Sequence, residues 1–356
     1  MKYIKLFLSV IIVFAHILLC AQDKSKDAKL DAKSAAQKVS TLYYLINNYY
    51  VDTADFEKLT EEAIVAMLKE LDPHSAYISK KDVQKANEPL EGSFEGIGVT
   101  FQIFQDTILV VSPVPGGPSD KVGIMAGDKI VKIDGEDAFG KKVNNEYVAK
   151  HLRGEKGSKV TLGIKRGADK ELIEFEVVRD KIPLNSIDAS FMLDDKVGYI
   201  KLDRFAKTTM EEFELALEEL KSQKMKSLIL DLRGNSGGFL NVATELSNQF
   251  LKKDKTIVFT EGDKSKKQVF KTNHNGEFSD GKLVILIDEG SASASEIVSG
   301  AIQDWDRGVL IGRRSFGKGL VQRPFTMTDG SVIRLTTARY YTDDEILNAL
   351  TKGGKN

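Results

Sequence analysis

Residues 283–288 have the sequence Leu-Val-Ile-Leu-Ile-Asp, and residues 290–296 have the sequence Gly-Ser-Ala-Ser-Ala-Ser-Glu. The first segment is almost wholly apolar, which is typical of a strand buried on both faces of a parallel sheet. Beyond the second segment, apolar side chains recur at helical spacing, at Ile297, Val298, Ala301, Ile302 and Trp305. The stretch therefore predicts a strand, a turn of small residues and a helix.

The serines of this turn have two interpretations. Ser293 is followed three residues later by Glu296, which matches a capping box, where the serine side chain binds an unpaired N–H of the helix. The same N–H groups and the helix dipole also favour negative charge, so the turn could hold an oxyanion beside a nucleophilic serine. Capping is the commoner role. A catalytic role for Ser293 therefore requires a base and oxyanion donors elsewhere in the chain.

The surrounding sequence, residues 181–356, alternates strand and helix patterns. Strands are predicted at 197–202, 227–231 and 256–259, and helices at 210–221 and 242–250. This alternation predicts a largely parallel sheet with its ligands at the carboxyl ends of the strands. Two glycine-rich turns, 234–238 and 290–295, fall at such ends. We therefore predict an α/β catalytic domain over residues 181–356.

Two further regions precede this domain. Residues 22–90 form a helical region, with amphipathic helices predicted at 35–50 and 61–71, the second ending before Pro73. Residues 91–180 change to short β patterns punctuated by glycine, which predicts a small β-rich domain. The whole chain is thus predicted to be a mixed α+β and α/β protein.

The β-rich region resembles a bacterial PDZ domain. The resemblance rests on the order of Gly-Ile-Gly-Val at 96–99, a helix pattern at 118–123, Ala-Gly-Asp at 126–128 and Ile-Asp-Gly at 133–135. It implies that a free peptide carboxylate is bound by the backbone of Gly96, Ile97, Gly98 and Val99. The captured peptide would then pair with the domain as an added strand.

The composition limits the classes of function. The 356 residues have a net charge of −1 and 42% hydrophobic residues, which predicts a globular protein without nucleic-acid partners. Cys20 is the single cysteine, and no Cys/His metal spacing occurs, so neither a metal nor a cofactor is predicted. Lys2 and Lys5 precede an apolar run at 6–19, which predicts a signal peptide over residues 1–21 and export to the periplasm. Lipidation of Cys20 and an uncleaved membrane anchor are the alternatives.

A nucleophilic serine needs a base. Beyond the leader the histidines are His74, His151 and His274. None lies in a turn comparable to the serine turn, and a Ser-His-Asp arrangement stays open. Lys318, between two glycines, is the other candidate, because burial can lower the pKa of a lysine far enough to leave a neutral amine.

Two other motifs overlap Lys318. Residues 312–319 match a Walker A loop except at Gly319, which supplies no hydroxyl for magnesium, and no helix pattern follows, so nucleotide binding is not predicted. Ser315 and Lys318 also form the Ser-x-x-Lys signature of penicillin-binding enzymes. Its companion motifs Ser-Asp-Asn and Lys-Thr-Gly are absent. An acyl-enzyme hydrolase that uses Ser315 therefore stays an alternative.

Together these segments resemble one family, the carboxyl-terminal processing peptidases or tail-specific proteases. The resemblance rests on residues 231–238, 290–297 and 316–322 in this order, with Leu-Asp-Pro-His-Ser at 71–75 and Arg-Leu-Thr-Thr-Ala-Arg-Tyr-Tyr at 334–341. It implies an inserted PDZ domain and a catalytic domain with a crotonase-like (ClpP-like) sheet. After Thr342 the sequence departs from the family, which continues through a Pro-Ser-Gly segment.

The family resemblance also implies residue roles. The nucleophile falls on Ser293, the base on Lys318 and an accompanying glutamine on Gln322. The oxyanion hole is assigned to the backbone N–H of Ala294 and to one from Gly237 or Gly238. The implied activity is a serine endopeptidase that cleaves exported proteins near their C-termini, with unstructured protein or peptide tails captured by the PDZ-like domain. A catalytically silent peptide-binding scaffold is the alternative, and the sequence leaves self-association and an adaptor protein open.

Overall fold

The computed structural model describes residues 31–169 and 171–342. The predicted signal peptide and Cys20 lie outside the described residues. The chain divides into two units, residues 1–66 and 67–356. Among the described residues, no helix combines the length and the apolar character that crossing a membrane requires.

The first unit contains helix α1 (Ala32–Tyr49) and most of helix α2 (Phe56–Lys69). The Asp31 carboxylate accepts a hydrogen bond from the Ser34 N–H at 2.7 Å and caps α1. The Tyr43 hydroxyl donates to Thr60 Oγ1 at 3.0 Å. Both predicted helices exist, but α2 begins five residues before the predicted start, where the Asp55 carboxylate accepts from the Lys58 N–H.

The β-rich domain in the second unit is built on a six-stranded antiparallel sheet. Its strands are β3 (Val99–Phe104), β4 (Thr107–Pro113), β5 (Lys129–Ile133), β6 (Glu136–Asp137), β7 (Lys159–Lys165) and β8 (Ile173–Val178). The order is β3-β4-β5-β7-β8, with β6 beside β5. Helices α4 (Pro118–Lys121) and α5 (Asn145–Leu152) complete the domain, and the core is fully buried at Ile108, Ile130, Leu162 and Ile164.

Three elements flank this domain. Strands β2 (Ser93–Gly96) and β9 (Asp180–Pro183) pair with each other where the chain enters and leaves it. Helix α3 (Val83–Glu91) precedes β2 and contains Pro89. The sequence patterns did not predict α3, because it is short, has no buried residue and carries an internal proline.

The region predicted to be catalytic, residues 181–356, contains the predicted parallel sheet. Its strands are β10 (Ile187–Met192), β11 (Val197–Leu202), β12 (Ser227–Asp231), β15 (Lys282–Ile287) and β16 (Val309–Gly312), in that order. Strands β11, β12, β15 and β16 are parallel, and β10 is antiparallel at the edge. The core is formed with helices α6 (Thr209–Ser222), α7 (Leu240–Phe250) and α8 (Ala294–Asp304). The mixed organisation predicted from sequence is thus confirmed.

A second, antiparallel sheet was not predicted, and the strand predicted at 256–259 belongs to it rather than to the parallel sheet, because it pairs antiparallel with two other strands. It has the order β1-β18-β13-β14, with β17 also pairing β18, and its strands are β1 (Ala76–Ile78), β13 (Thr256–Gly262), β14 (Ser265–Lys271), β17 (Leu320–Thr326) and β18 (Val332–Tyr341). Lys318 lies just before β17, and Gln322 lies on it. The catalytic candidates therefore come from two different sheets.

Candidate active site

The two glycine-rich turns lie side by side, because they follow the neighbouring strands β12 and β15. The Ala292 N–H donates to the Asn235 carbonyl at 3.0 Å. The Ser295 hydroxyl donates to the same carbonyl at 2.9 Å, and the Ser291 hydroxyl donates to the Leu232 carbonyl at 2.8 Å. Ser291 and Ser295 therefore use their hydroxyls to join the turns.

Ser293 has an unusual backbone for a residue at the start of a helix. Its φ of 56° and ψ of −109° differ from the extended conformation of an ordinary N-cap residue. A non-glycine residue in such a region costs about 1–3 kcal/mol, and this strain is concentrated at functional sites. A serine on a sharp, strained turn between a strand and a helix is also the arrangement that exposes the nucleophile in α/β-hydrolases.

Glu296 connects the serine turn, residues 289–293, to the lysine loop, residues 313–319. Its side chain is only 3% exposed. One carboxylate oxygen, Oε2, accepts from the Ser293 N–H at 2.8 Å and from the Lys318 N–H at 2.9 Å. The other oxygen accepts from the Gly317 N–H at 2.6 Å and from the Ser315 hydroxyl at 2.7 Å. One buried carboxylate thus brings Ser293 and Lys318 together.

The sequence pattern predicted only a capping role for Glu296 and not this connection. The sequence did contain an indication of this role. Glu296 lies next to the apolar residues of α8 and is therefore expected to be buried, and a buried carboxylate needs several hydrogen-bond donors. The contact to Glu296 also explains Ser315. Its hydroxyl is engaged with a carboxylate, as expected for a structural serine.

Lys318 and Gln322 are in direct contact. The Lys318 ammonium nitrogen donates to Gln322 Oε1 at 3.0 Å, and Gln322 Nε2 donates to the His74 carbonyl. Burial and the positive charge of Arg334 lower the pKa of Lys318 below its ordinary value, although Asp72 and Glu296 oppose this shift. The direction is the one that a lysine base needs.

The turn at residues 72–75 supports Gln322 from below the lysine loop. The Asp72 carboxylate accepts from the N–H groups of His74 and Ser75, both at 2.8 Å, and from the Ser75 hydroxyl at 2.7 Å. A carbonyl oxygen can only accept, so the His74 carbonyl orients the Gln322 amide with Oε1 toward Lys318.

The histidines do not reach the serine. Among the described residues, no histidine forms a hydrogen bond with Ser293. The ring of His74 packs edge-on against that of Phe316, with the ring centroids 6.4 Å apart. Burial and the charge of Lys318 lower the pKa of His74. His151 contacts the Tyr147 carbonyl, and His274 contacts Asn248.

Gly237 lies directly against the nucleophile turn. A Cβ atom at this position would be 2.9 Å from Ser293 Cβ and 3.0 Å from the Ala294 nitrogen. The φ angle of Gly237 is 101°, in the region that favours glycine. The Gly237 N–H donates to Asn235 Oδ1 at 2.9 Å. The N–H groups of Gly238 and Ala294 have no acceptor among the described residues. Those two donors suit an oxyanion hole, an assignment that stays a prediction.

Asp231 holds the start of the 234–238 turn and was not identified from sequence. It is 1% exposed and accepts from Arg233 Nη2 at 2.6 Å, from the Arg233 N–H at 2.9 Å and from the Tyr199 hydroxyl at 2.7 Å. Burial opposes ionisation, but the bonds from Arg233 and Tyr199 prevail and lower the pKa of Asp231 to about 2. The carboxylate therefore stays ionised at neutral pH.

The glycine-bearing turn of the β-rich domain lies between β2 and β3. Gly98 has a φ of 71°, and Gly96 ends β2. The Ile97 carbonyl accepts from the Ser119 hydroxyl at 2.7 Å, and the Ile97 side chain belongs to the domain core. Val99 begins β3, which is an edge strand of its sheet. The free edge gives a peptide backbone room to pair.

Comparisons with known proteins agree with this architecture. Family models match for the peptidase family S41 at residues 196–349, the PDZ domain at 96–177 and the activating protease CtpB N-terminal domain at 16–82. The carboxy-terminal processing protease CtpB of Bacillus subtilis is 37% identical over 343 residues, which cover 93% of this chain and 70% of that protein.

Two further similarities extend this result. The carboxy-terminal-processing protease of Bartonella bacilliformis is 35% identical over 342 residues, which cover 94% of this chain and 77% of that protein. A solved structure of an S41 protease from Bacteroides fragilis shares the fold, with a TM-score of 0.52, 18% identity and coverage of 82% of this chain and 81% of the other. As the sequence motifs predicted, the chain belongs to peptidase family S41, the carboxyl-terminal processing peptidases.

Proposed function

We propose that this protein is a serine endopeptidase that cleaves exported proteins near their C-termini, with Ser293 as nucleophile and Lys318 as base. The observation that carries the proposal is the shared Glu296 oxygen, which accepts from the backbone of both residues. The strained backbone of Ser293 and the lowered pKa of Lys318 support the same roles. The relatives named carboxy-terminal processing proteases support the substrate class.

The chemistry is acyl transfer. The neutral amine of Lys318 accepts the proton of the Ser293 hydroxyl while Oγ bonds to the carbonyl carbon of the scissile peptide. The N–H groups of Ala294 and Gly238 stabilise the oxyanion. The Lys318 ammonium then gives its proton to the leaving amine, and water releases the acyl group by the reverse sequence. Gln322 accepts one N–H of the amine and so restricts its orientation.

The PDZ domain delivers the substrate tail. The turn from Gly96 to Val99 binds the terminal carboxylate, and the peptide pairs with the free edge of β3. An unstructured tail with apolar residues suits this mode, because it can adopt the extended conformation without unfolding a domain. Residues 1–21 act as an export signal, so the substrates are exported proteins.

The test compares an unstructured peptide that has a free, apolar C-terminus with its C-terminally amidated twin. We expect kcat/KM to be at least roughly tenfold lower for the amidated peptide, because the hydrogen bonds to a charged carboxylate are lost. Ser293→Ala and Lys318→Ala should each lower kcat by a factor of about 10⁴ or more. Equal cleavage of both peptides would contradict capture by the PDZ domain.

Two alternatives give different results in the same assay. A silent peptide-binding scaffold would cleave neither peptide, and a serine-reactive probe would label nothing. A hydrolase that uses Ser315 would keep its activity in Ser293→Ala and lose it in Ser315→Ala. We expect the opposite pattern, because the Ser315 hydroxyl is bonded to Glu296.

A further inference from the structure

The turn at residues 72–75, between α2 and β1, is organised around the carboxylate of Asp72. The N–H groups of His74 and Ser75 donate to one oxygen, Oδ1, and the Ser75 hydroxyl donates to the other. Burial opposes ionisation, but the hydrogen bonds from Ser75 and His74 prevail and lower the pKa of Asp72. The carboxylate is therefore charged at neutral pH, and its bonds give the turn a defined shape.

One peptide group of this turn points in two useful directions. The N–H of Ser75 and the carbonyl of His74 belong to the same peptide group, and in a trans peptide they point to opposite sides. The N–H is held by Asp72 at 2.8 Å, and the carbonyl accepts from Gln322 Nε2. By holding the N–H, Asp72 sets the direction from which the carbonyl meets Gln322.

The same turn also holds the strand opposite Gln322. Thr336 of β18 is the residue paired with Gln322 of β17, and the register is irregular between Val321 and Gln322. The Thr336 hydroxyl donates to Asp72 Oδ1 at 3.2 Å, and the Thr336 N–H donates to Ser75 Oγ at 3.1 Å. Irregularities of this kind re-aim a side chain beside an active site. The turn thus fixes both the amide of Gln322 and the strand position across from it.

We propose that Asp72 is a positioning residue for the lysine base, Lys318. Its carboxylate fixes the His74 carbonyl, and this carbonyl orients the Gln322 amide. The amide oxygen of Gln322 then receives an N–H of the Lys318 amine at 3.0 Å. Asp72 keeps the amine in the orientation from which it takes a proton, without itself taking part in the proton transfer. This inference rests on the proposed role of Lys318 as base.

The charge of Asp72 has the opposite effect on Lys318, so position and charge can be separated by experiment. Burial and the charge of Arg334 lower the pKa of Lys318. The carboxylates of Asp72 and Glu296 raise it. His74 adds no charge at neutral and alkaline pH, because burial and the charge of Lys318 lower its pKa. Removing the charge of Asp72 alone should therefore increase the neutral fraction of the amine, whereas removing its hydrogen bonds should displace the amine.

The experiment measures kcat and KM of the full-length protein for a peptide with a free, apolar C-terminus, across the pH range in which the rate climbs to its plateau. We expect Asp72→Ala to lower the plateau of kcat roughly ten- to one-hundred-fold, the effect of a misplaced reacting group, with KM unchanged. A plateau equal to that of the wild type would overturn the proposal.

Asp72→Asn is the conservative variant. Its amide oxygen can replace Oδ1, which accepts from His74, Ser75 and Thr336, and its NH2 group can donate to the Ser75 hydroxyl. We expect the plateau of kcat to stay within about threefold of the wild type. The pH profile should move to lower pH, because the negative charge that raises the pKa of Lys318 is gone. A plateau as low as that of Asp72→Ala would show that the hydrogen bonds do not carry the effect.

A double-mutant cycle with Gln322→Ala separates positioning from a general loss of structure. If Asp72 acts through Gln322, Asp72→Ala should change kcat by less than about twofold in a protein that already carries Gln322→Ala. A general loss of structure would lower kcat by the same factor in both backgrounds, and that result would overturn the proposal. So would a Gln322→Ala variant with the kcat of the wild type.

Two further variants complete the design. If Asp72→Ala does not fold, the same cycle is run with Ser75→Ala, which removes one bond to Asp72 and the acceptor for Thr336. We expect a plateau roughly three- to tenfold lower than that of the wild type and the same dependence on Gln322. The matched control is Asp82→Ala. Asp82 is exposed and also accepts from a serine hydroxyl, that of Ser79, so kcat should stay within about twofold of the wild type.

Lys318→Ala identifies which proposal has failed. If this variant keeps the kcat of the wild type, Lys318 is not the base, and the proposed mechanism fails together with the role of Asp72. If Lys318→Ala and Gln322→Ala lose activity while Asp72→Ala and Ser75→Ala keep the plateau of the wild type, only the inference about Asp72 fails.

Discussion

The serine turn and the lysine loop are held in different ways. The serine turn, residues 289–293, follows a buried parallel strand and is joined to the next turn of the same sheet, for example by the hydrogen bond from Ala292 to Asn235. The lysine loop, residues 313–319, precedes a strand of the antiparallel sheet. It contacts the serine turn directly, through the Phe316 N–H to the Ser291 carbonyl at 3.0 Å and through the exposed ion pair of Arg313 with Glu289. It also contacts Glu296, and the adjoining Gln322 contacts the His74 carbonyl, 248 residues away from Gln322 in sequence.

The nucleophile and the base are therefore positioned by different kinds of contact. Neighbouring parallel strands fix the nucleophile, so its geometry follows from regular secondary structure. The base depends on individual side chains that reach across the fold, which makes its position easier to disturb. Variants should accordingly fall into three groups. The first disconnects the lysine loop, the second changes only the pKa of Lys318, and the third weakens the support of the serine turn.

Glu296→Gln should have the largest effect, because it disrupts the buried link between the two regions and leaves only the backbone bond from Phe316 to Ser291 and the exposed ion pair of Arg313 with Glu289. A glutamine keeps one oxygen and replaces the other by an NH2 group, which cannot accept a hydrogen bond. Depending on its orientation, that NH2 group would face the N–H groups of Ser293 and Lys318, or the N–H group of Gly317. Losing two bonds to a charged acceptor should lower kcat/KM about 10³-fold. Hydrogen exchange should also show faster exchange of the amides in residues 313–319.

Glu289→Gln is the matched control for this prediction. Glu289 lies three residues before Ala292 on the same turn but is exposed and pairs with Arg313 at 2.6 Å. We expect its kcat/KM to stay within about threefold of the wild type, since exposed ion pairs contribute little. If both glutamate variants behave alike, Glu296 does not connect the two regions.

Arg334→Gln should have an intermediate effect, limited to the base. The charge of Arg334 contributes to the lowered pKa of Lys318, so removing it raises that pKa. A base acts in its neutral form, and the rate climbs as pH rises through the pKa. The whole profile of kcat/KM should therefore move to higher pH, with roughly several-fold lower activity near pH 7 and an unchanged plateau.

Arg334→Lys keeps the positive charge and is the control. Its pH profile should superimpose on that of the wild type. An alkaline shift in Arg334→Lys, or none in Arg334→Gln, would show that the guanidinium acts through its shape rather than its charge.

The same division explains what the sequence could predict. The parallel sheet and the helix after Ser293 follow from apolar periodicity, and the two glycine turns from their place after strands. The antiparallel sheet is less regular in sequence, since β14 carries Lys266, Lys267 and Lys271 and most of its residues are exposed. Its assembly with β1 and β18 depends on pairing between distant segments, such as Ala76 with Arg334.

The residue roles show the same limit. Motif resemblance identified Ser293, Lys318 and Gln322 as candidates, but the connecting role of Glu296 depends on three-dimensional neighbours. The strain at Ser293 also could not be predicted, because a serine followed by glutamate three residues later normally indicates an ordinary cap with an extended backbone. Ser293 instead has a φ of 56°.

Asp231→Asn should have the smallest effect on catalysis. Its effect on stability tests how much the charge of Asp231 stabilises the 234–238 turn, which lies beside the serine turn. The pKa of Asp231 is lowered to about 2 in the folded protein, against the ordinary aspartate value of 3.8. A lowered pKa contributes stability above the unfolded value that is lost as pH falls through the folded value. Asp231→Asn should therefore lower the free energy of unfolding by about 2 kcal/mol at neutral pH. The difference from the wild type should shrink as pH falls from about 4 to about 2, while the exposed control Asp263→Asn should match the wild type throughout. A difference in unfolding free energy that is independent of pH would mean that the shape of Asp231, and not its charge, stabilises the turn beside Ser293.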